Sequence, residues 1–248
     1  MKGRQTTMNN NDINSQPENL ETQNTMNRIY TIGHSNYKIE YFIQLLKKSS
    51  ITAVYDVRSM PYSRYVPQFN QGSIKQSLIH AGIDYVYLGK ELGPFSKDLN
   101  CCVEGIVQYN LIAQTRAFRD GLSRIKKDAM IYNLALMCAE KEPAECHRMV
   151  LVCRHLRGKD TEIKHILEDG SLEDNRDTER RLMKILKITD LIPFGEIEDP
   201  VERAYEEMGK RNAFKHRNDT PYGHLSTACR YHRQPGRPNL GMYRVLVI

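Results

Sequence analysis

The sequence predicts a single α/β domain in which a mainly parallel sheet is flanked by helices in a Rossmann-like, three-layer arrangement. Three observations carry this. Short apolar runs alternate with amphipathic stretches of helical period through the middle of the chain. One run, Met130 to Met137 (MIYNLALM), is too apolar for a half-exposed strand and fits a central strand covered on both faces. The order strand, helix, strand, helix is that of βαβ units, whose crossovers leave neighbouring strands parallel.

Taken in order, Arg28 to Ile32 (RIYTI) reads as the first strand, ending at Gly33-His34-Ser35. Lys38 to Ser50 places Ile39, Phe42, Ile43, Leu45 and Leu46 on one helical face. Thr52 to Val57 is a second strand and Tyr85 to Leu88 a third. Val107 to Lys127 reads as one long helix with Leu111, Ile112, Phe118, Leu122 and Ile125 inward. After the central strand, Pro143 suits the first turn of a helix running to about Leu156. Thr161 to Leu167 forms a last strand and Thr178 to Leu186 a last helix. Beyond Pro200, Val201 to Lys215 has helical period, and Tyr243 to Ile248 is apolar enough for an edge strand.

Composition sets the limits. The 248 residues suffice for one domain with tails. Residues 1–27, rich in Asn, Gln, Thr and Ser, read as a disordered leader without the pattern of a signal peptide. Residues 28–198 form the α/β domain, and 199–248 a C-terminal extension with one helix and a basic tail. No apolar run approaches the roughly 18 residues that cross a bilayer. The six cysteines then read as reduced thiols in a cytoplasmic protein with no membrane partner. The net charge of +6 is concentrated late: Lys210 to Ile248 holds two lysines, six arginines and three histidines against Asp219. Such a tail either attracts nucleic acid and other polyanions or simply aids solubility.

In open parallel sheets, ligands bind outside the carboxyl ends of the strands. Three polar clusters fall there. They are Gly33 to Asn36, Asp56 to Arg64, and Cys138 to Arg148. His34 and Ser35 follow the first strand, where Ser35 either faces a ligand or caps the next helix. Asp56 and Arg58 form either a structural ion pair or, with Arg64, Ser59 and Ser63, a phosphate cradle, and the cradle is favoured. Glu140 leaves the core at a strand end, where partial burial raises a carboxyl toward acid–base use, or else it pairs with an arginine. Cys146, His147 and Arg148 lie in an early helical turn, which favours an anion or a thiolate, although a cysteine there is often just packed. Cys138, Cys146 and His147 supply three zinc ligands, but two are adjacent and no clear fourth is visible, so neither a metal nor another cofactor is expected. The segment is too long and too poor in glycine for a cysteine-phosphatase loop. No phosphate-loop or dinucleotide fingerprint follows the first strand.

Together these clusters resemble the family catalogued as domain of unknown function 488. The residues that carry it are Thr31 to Ser35 (TIGHS), Asp56 to Arg64 (DVRSMPYSR), Cys138 to Arg148 (CAEKEPAECHR) and, more loosely, Tyr85 to Gly93. The resemblance spans Arg28 to Leu186 and implies a compact α/β fold, with a label of DNA repair in some members but no common activity.

The expected function is an enzyme acting on a phosphate-bearing substrate, a nucleotide or nucleic acid, by hydrolysis or group transfer. Arg58, Arg64 and Arg148 would hold phosphate beside Ser35 and Ser63. His34 and Asp56 would orient the substrate or exchange protons, Glu140 would be the general acid or base, and Cys146 or His147 would assist. The alternative is a non-catalytic nucleotide or nucleic-acid binding or sensor module that uses the same arginines and the basic tail. A third reading is a zinc-stabilised structural protein. Oligomeric state stays open.

Overall fold

The computed structural model describes residues 27–96, 98–189 and 199–213. The leader, the basic tail beyond residue 213 and the C-terminal apolar run lie outside the described residues. Strand β1 (Asn27–Gly33) leads to helix α1 (Ile39–Lys48) and strand β2 (Ala53–Asp56). Helix α2 (Gln71–His80), strand β3 (Asp84–Tyr87) and the short α3 (Gly89–Leu92) follow. A small hairpin of β4 (Cys102–Val103) and β5 (Ile106–Val107) precedes α4 (Tyr109–Ala113) and α5 (Arg116–Asp128). Strand β6 (Leu134–Cys138) is followed by a 3-10 turn at Pro143–Glu145, a π-helix at Arg148–Cys153 and its continuation α6 (Arg154–Leu156). Strands β7 (Thr161–Ile166) and β8 (Leu172–Asp174) and helices α7 (Asn175–Leu186) and α8 (Pro200–Asn212) complete it.

The main sheet has the order β3-β2-β6-β1-β7-β8. Its first five strands are parallel, and β8 runs antiparallel to β7. The expected α/β architecture is therefore present, with β6 at the centre and all five of its residues buried. Side-chain alternation sorts the strands into two cores. Tyr30, Ile32, Val54, Ala135 and Met137 pack with Phe42, Leu46, Ile74 and Leu78 of α1 and α2. Ile29, Tyr55, Leu134, Leu136 and Cys138 pack with Phe118, Ile125, Leu151, Leu182 and Tyr205 on the other face. Helix α8, placed by sequence in the C-terminal extension, adds Ala204, Tyr205 and Met208 to this second core.

Three sequence expectations need correction. The long helix from Val107 is broken: Ile106–Val107 pairs as a strand, and Thr115 caps a separate α5 by accepting from the Phe118 N–H at 3.2 Å. The central strand begins at Leu134, leaving Met130 and Ile131 exposed in the preceding turn. The helix expected from Pro143 is split, because Cys146 is extended (φ −108°, ψ 142°) between the 3-10 turn and the π-helix. Helix α2 and strand β8 were not anticipated.

Candidate functional site

The carboxyl ends of β1, β2 and β6 do gather the predicted polar residues, but as two buried networks and one exposed loop. The end of β1 is pinned to that of β6 by the His34 and Ser35 amides, which donate to the Cys138 and Ala139 carbonyls at 2.9 Å each. This approach needs a glycine, since a Cβ on Gly33 would fall 1.9 Å from the Glu140 carbonyl oxygen. Ser35 then turns the chain at φ 46°. It does not cap α1, whose N-cap is Lys38 without a side-chain bond.

The first network lies toward α1 and α2. Asp56, wholly buried, accepts from Arg58 Nε at 2.9 Å, Arg58 Nη2 at 2.6 Å and the Tyr85 hydroxyl at 2.8 Å. Arg58 also donates to the Phe69 carbonyl at 2.9 Å and to His34 Nε2 at 2.9 Å. The carbonyl of Ser35, 2.8 Å from His34 Nδ1, fixes the proton on that nitrogen, so Nε2 is free to accept. The imidazole stacks on Phe69 with centroids 4.2 Å apart. Burial, reinforced by the Arg58 charge, lowers the His34 pKa to about 3, so the ring is neutral. Asp56 and Arg58 are thus a structural ion pair, and the phosphate cradle expected of Arg58 is corrected. Ser63 is likewise turned inward, its hydroxyl accepting from the Tyr65 amide at 3.2 Å.

The second network lies on the opposite face. Cys138 and Cys146 donate their thiol hydrogens to Glu140 Oε2 at 2.7 and 3.1 Å. His147 Nε2 donates to the Val57 carbonyl at 3.0 Å, and Nδ1 lies 3.4 Å from the Cys138 sulfur and 4.0 Å from that of Cys146. One donor atom from each of these four side chains lies within 4.8 Å of all the others. Burial would push the Glu140 carboxyl up, but His147 and the two thiols outweigh it and hold the pKa at about 2. A raised carboxyl for general acid–base work is therefore corrected. Burial also pushes the Cys146 thiol well above its ordinary value, and its extended backbone keeps it out of the helical turn expected to favour a thiolate. Arg148 is wholly buried and donates to the Glu140 carbonyl at 2.5 Å, the Lys141 carbonyl at 3.0 Å and Thr31 Oγ1 at 3.3 Å. A phosphate cannot reach it, which corrects its expected role.

Residues 38–154 match the model of the family described as Domain of unknown function DUF488. That segment of the chain is similar to the family. The match takes in the Asp56–Arg64 and Cys138–Arg148 segments, while the Thr31–Ser35 opening, α7 and α8 lie beyond it. No curated protein and no solved structure matches the chain.

What the α/β domain leaves open to solvent is the loop between the two arginines and α2. Met60, Tyr62 and Tyr65 are exposed, as is Arg64, which makes no ion pair among the described residues. A shallow cavity beside them is lined by Met60, Pro61, Tyr62, Asn70, Gln71, Gly72 and Ser73. Sequence reasoning missed these α2 residues along with Phe69 and Tyr85. It also passed over Thr31 and His165, whose side chains meet at 2.7 Å in a buried network continued through Asn175 to Glu179 and Tyr205. A polar residue in the middle of RIYTI was the available signal for Thr31.

Proposed function

We propose that this domain binds a phosphate-bearing ligand, a nucleotide or a nucleic-acid strand, where loop 60–65 meets the N-terminus of α2. The observation that carries the reading is the cavity itself. Its floor is the first turn of a helix whose N-cap, Asn70, makes no capping bond because its side chain accepts instead from the Ser63 amide at 2.6 Å. First-turn amides have no partner within their own helix and favour an anion; here the Gln71 amide donates to the Pro61 carbonyl at 2.9 Å, so the Gly72 and Ser73 amides are the ones that would meet it. Gly72 faces open space, and no acidic residue stands in that turn. Tyr62 and Tyr65 offer stacking faces, and Arg64 between them offers a charge. The setting proposed is cytoplasmic, and the basic stretch after Lys210 adds sequence-independent attraction to polyanions.

A ligand-dependent melting screen of nucleotides, sugar phosphates and short oligonucleotides tests this. A ligand at about 100 times its dissociation constant adds roughly 2.7 kcal/mol of stability. The shift should vanish in a Tyr62→Ala, Arg64→Ala double variant. A shift that survives both substitutions, or no shift across the panel, would overturn the reading. For oligonucleotides, affinity should fall steeply with salt, and removal of residues 214–248 should flatten that slope.

The second reading is turnover of the same ligand by hydrolysis or group transfer. His34 is the base that reading would use, a neutral imidazole at a strand end, and it requires Arg58 to release the buried Nε2. Product formation from a ligand found in the screen, abolished by His34→Gln in a folded variant, is the result that reading requires.

A further inference from the structure

The proposed binding surface gives no task to the cluster on the opposite face of the sheet, and the inference drawn from that cluster is independent of it. We infer that Cys138, Glu140, Cys146 and His147 form a closed site for one zinc-type divalent cation.

Donor chemistry comes first. Two sulfurs, one imidazole nitrogen and one carboxylate oxygen make a borderline-soft set that suits zinc and disfavours magnesium or calcium, which take oxygen ligands. Distances agree. Tetrahedral bonds of about 2.3 Å to sulfur and about 2.0 Å to nitrogen put those two atoms roughly 3.6 Å apart. The two sulfur–nitrogen separations here, 3.4 and 4.0 Å, bracket that value. The Glu140 oxygen, at 2.7 and 3.1 Å, sits closer to the sulfurs because it takes both thiol hydrogen bonds. Binding the ion releases the two thiol protons to solvent and moves the carboxylate outward by less than about 1 Å.

Two neighbouring ligands normally point apart, which is why the sequence alone argued against a metal. The backbone removes that objection. Cys146 is extended and His147 helical (φ −59°, ψ −27°), and the switch between them turns successive side chains toward one point. The fourth ligand, Glu140, sits on the loop that Arg148 holds through the Glu140 and Lys141 carbonyls.

The surroundings have the character of a metal's outer shell. The Val57 carbonyl fixes the His147 tautomer, so that the Nδ1 lone pair faces the sulfurs. The Arg148 amide donates to the Cys146 sulfur at 3.4 Å. Two thiolates, a carboxylate and a divalent cation sum to one negative charge, which the buried Arg148 guanidinium balances. The three strongest ligands are each 5 % exposed or less (Cys138 2 %, Cys146 1 %, His147 5 %), so the site is closed and stabilising, without the open position of a catalytic zinc.

Titration of the reduced, full-length protein with Co2+ tests the site directly, with zinc content of the purified chain measured alongside. The expected result is a thiolate-to-cobalt charge-transfer band with tetrahedral d–d bands, saturating at one equivalent and displaced by Zn2+. A Cys102→Ser variant, altered away from the cluster, should keep the band, whereas Cys146→Ser should lose it. Glu140→Cys gives a gain of signal that misfolding cannot mimic, since the charge-transfer intensity should rise in step with three thiolates in place of two. No band together with less than about a tenth of an equivalent of zinc would overturn the inference. So would a band that persists in Cys146→Ser, or one whose intensity Glu140→Cys leaves unchanged.

Discussion

Arg58 and Arg64 leave the same loop six residues apart and meet opposite fates. Arg58 follows directly on β2, where the Asp56 carboxylate, the His34 ring and the Phe69 carbonyl take its hydrogen bonds and leave it 8 % exposed. Arg64 lies beyond Pro61, where the chain has left the sheet, and points into solvent between two exposed tyrosines. The difference is one of distance from the strand end. The first two or three residues past a parallel strand are still enclosed by the helices on either face, so a charge there must be neutralised within the protein. A charge farther out stays available to a ligand. Arginine type and motif membership do not distinguish the two roles, whereas position along the loop does.

The sharpest way to break this comparison is to remove the inner partner. Asp56→Ala strands a buried guanidinium and should cost about 3–5 kcal/mol in urea unfolding, and a cost no larger than that of Arg64→Ala would refute the division. Acid comes next. Burial, with the Arg58 charge beside His34 and the Arg148 charge near His165, lowers both histidines to about 3 from an ordinary 6.5. The unfolded chain therefore binds more protons, and the stability these rings contribute is complete above pH 6.5 and lost as pH falls toward 3. A His165→Gln variant should show a shallower fall in unfolding free energy across that window, whereas Arg64→Ala should follow the wild type. Smaller again is Arg58→Lys, which keeps the charge but not the fork and should cost about 1–3 kcal/mol. Smallest is Arg64→Ala itself, within about 0.5 kcal/mol of wild type in stability, with its effect appearing in ligand binding. A stability loss like that of Arg58→Lys would show that Arg64 has an inner partner after all.

The sheet was legible because its strands are short apolar runs with few competitors. β6 and the buried face of α1 follow from pattern alone. Helix α2 escaped because only Ile74 and Leu78 of its ten residues are buried, too few to set up a visible period. β8 is a three-residue edge strand whose pairing depends on the turn at Gly170 (φ 74°), a tertiary matter. The break at Thr115 could have been read, since a threonine three residues before Phe118 inside an otherwise helical pattern is an N-cap signal. Location of the polar residues at the strand ends was also legible. Their partners were not, because strand parity sends Asp56 and Cys138 to opposite faces of the sheet, and only pairing register reveals that neighbouring ends diverge. Spacing likewise argued against adjacent ligands at Cys146 and His147, when a backbone switch between them aims both at one point.

The sheet order also dictates a schedule. β1 pairs with nothing near it in sequence: Tyr30 is registered against Ala135 on one side and Lys164 on the other. β2 has β3 on its outer side, but its inner edge waits for Leu134 to Met137. A chain emerging from the ribosome therefore makes its first two strands long before it makes the strand that separates them, and β1 and the inner edge of β2 remain unpaired until the centre arrives. Assembly cannot proceed hairpin by hairpin from the amino terminus. It is slow and non-local, and a fragment ending before residue 134 lacks the strand around which the others close.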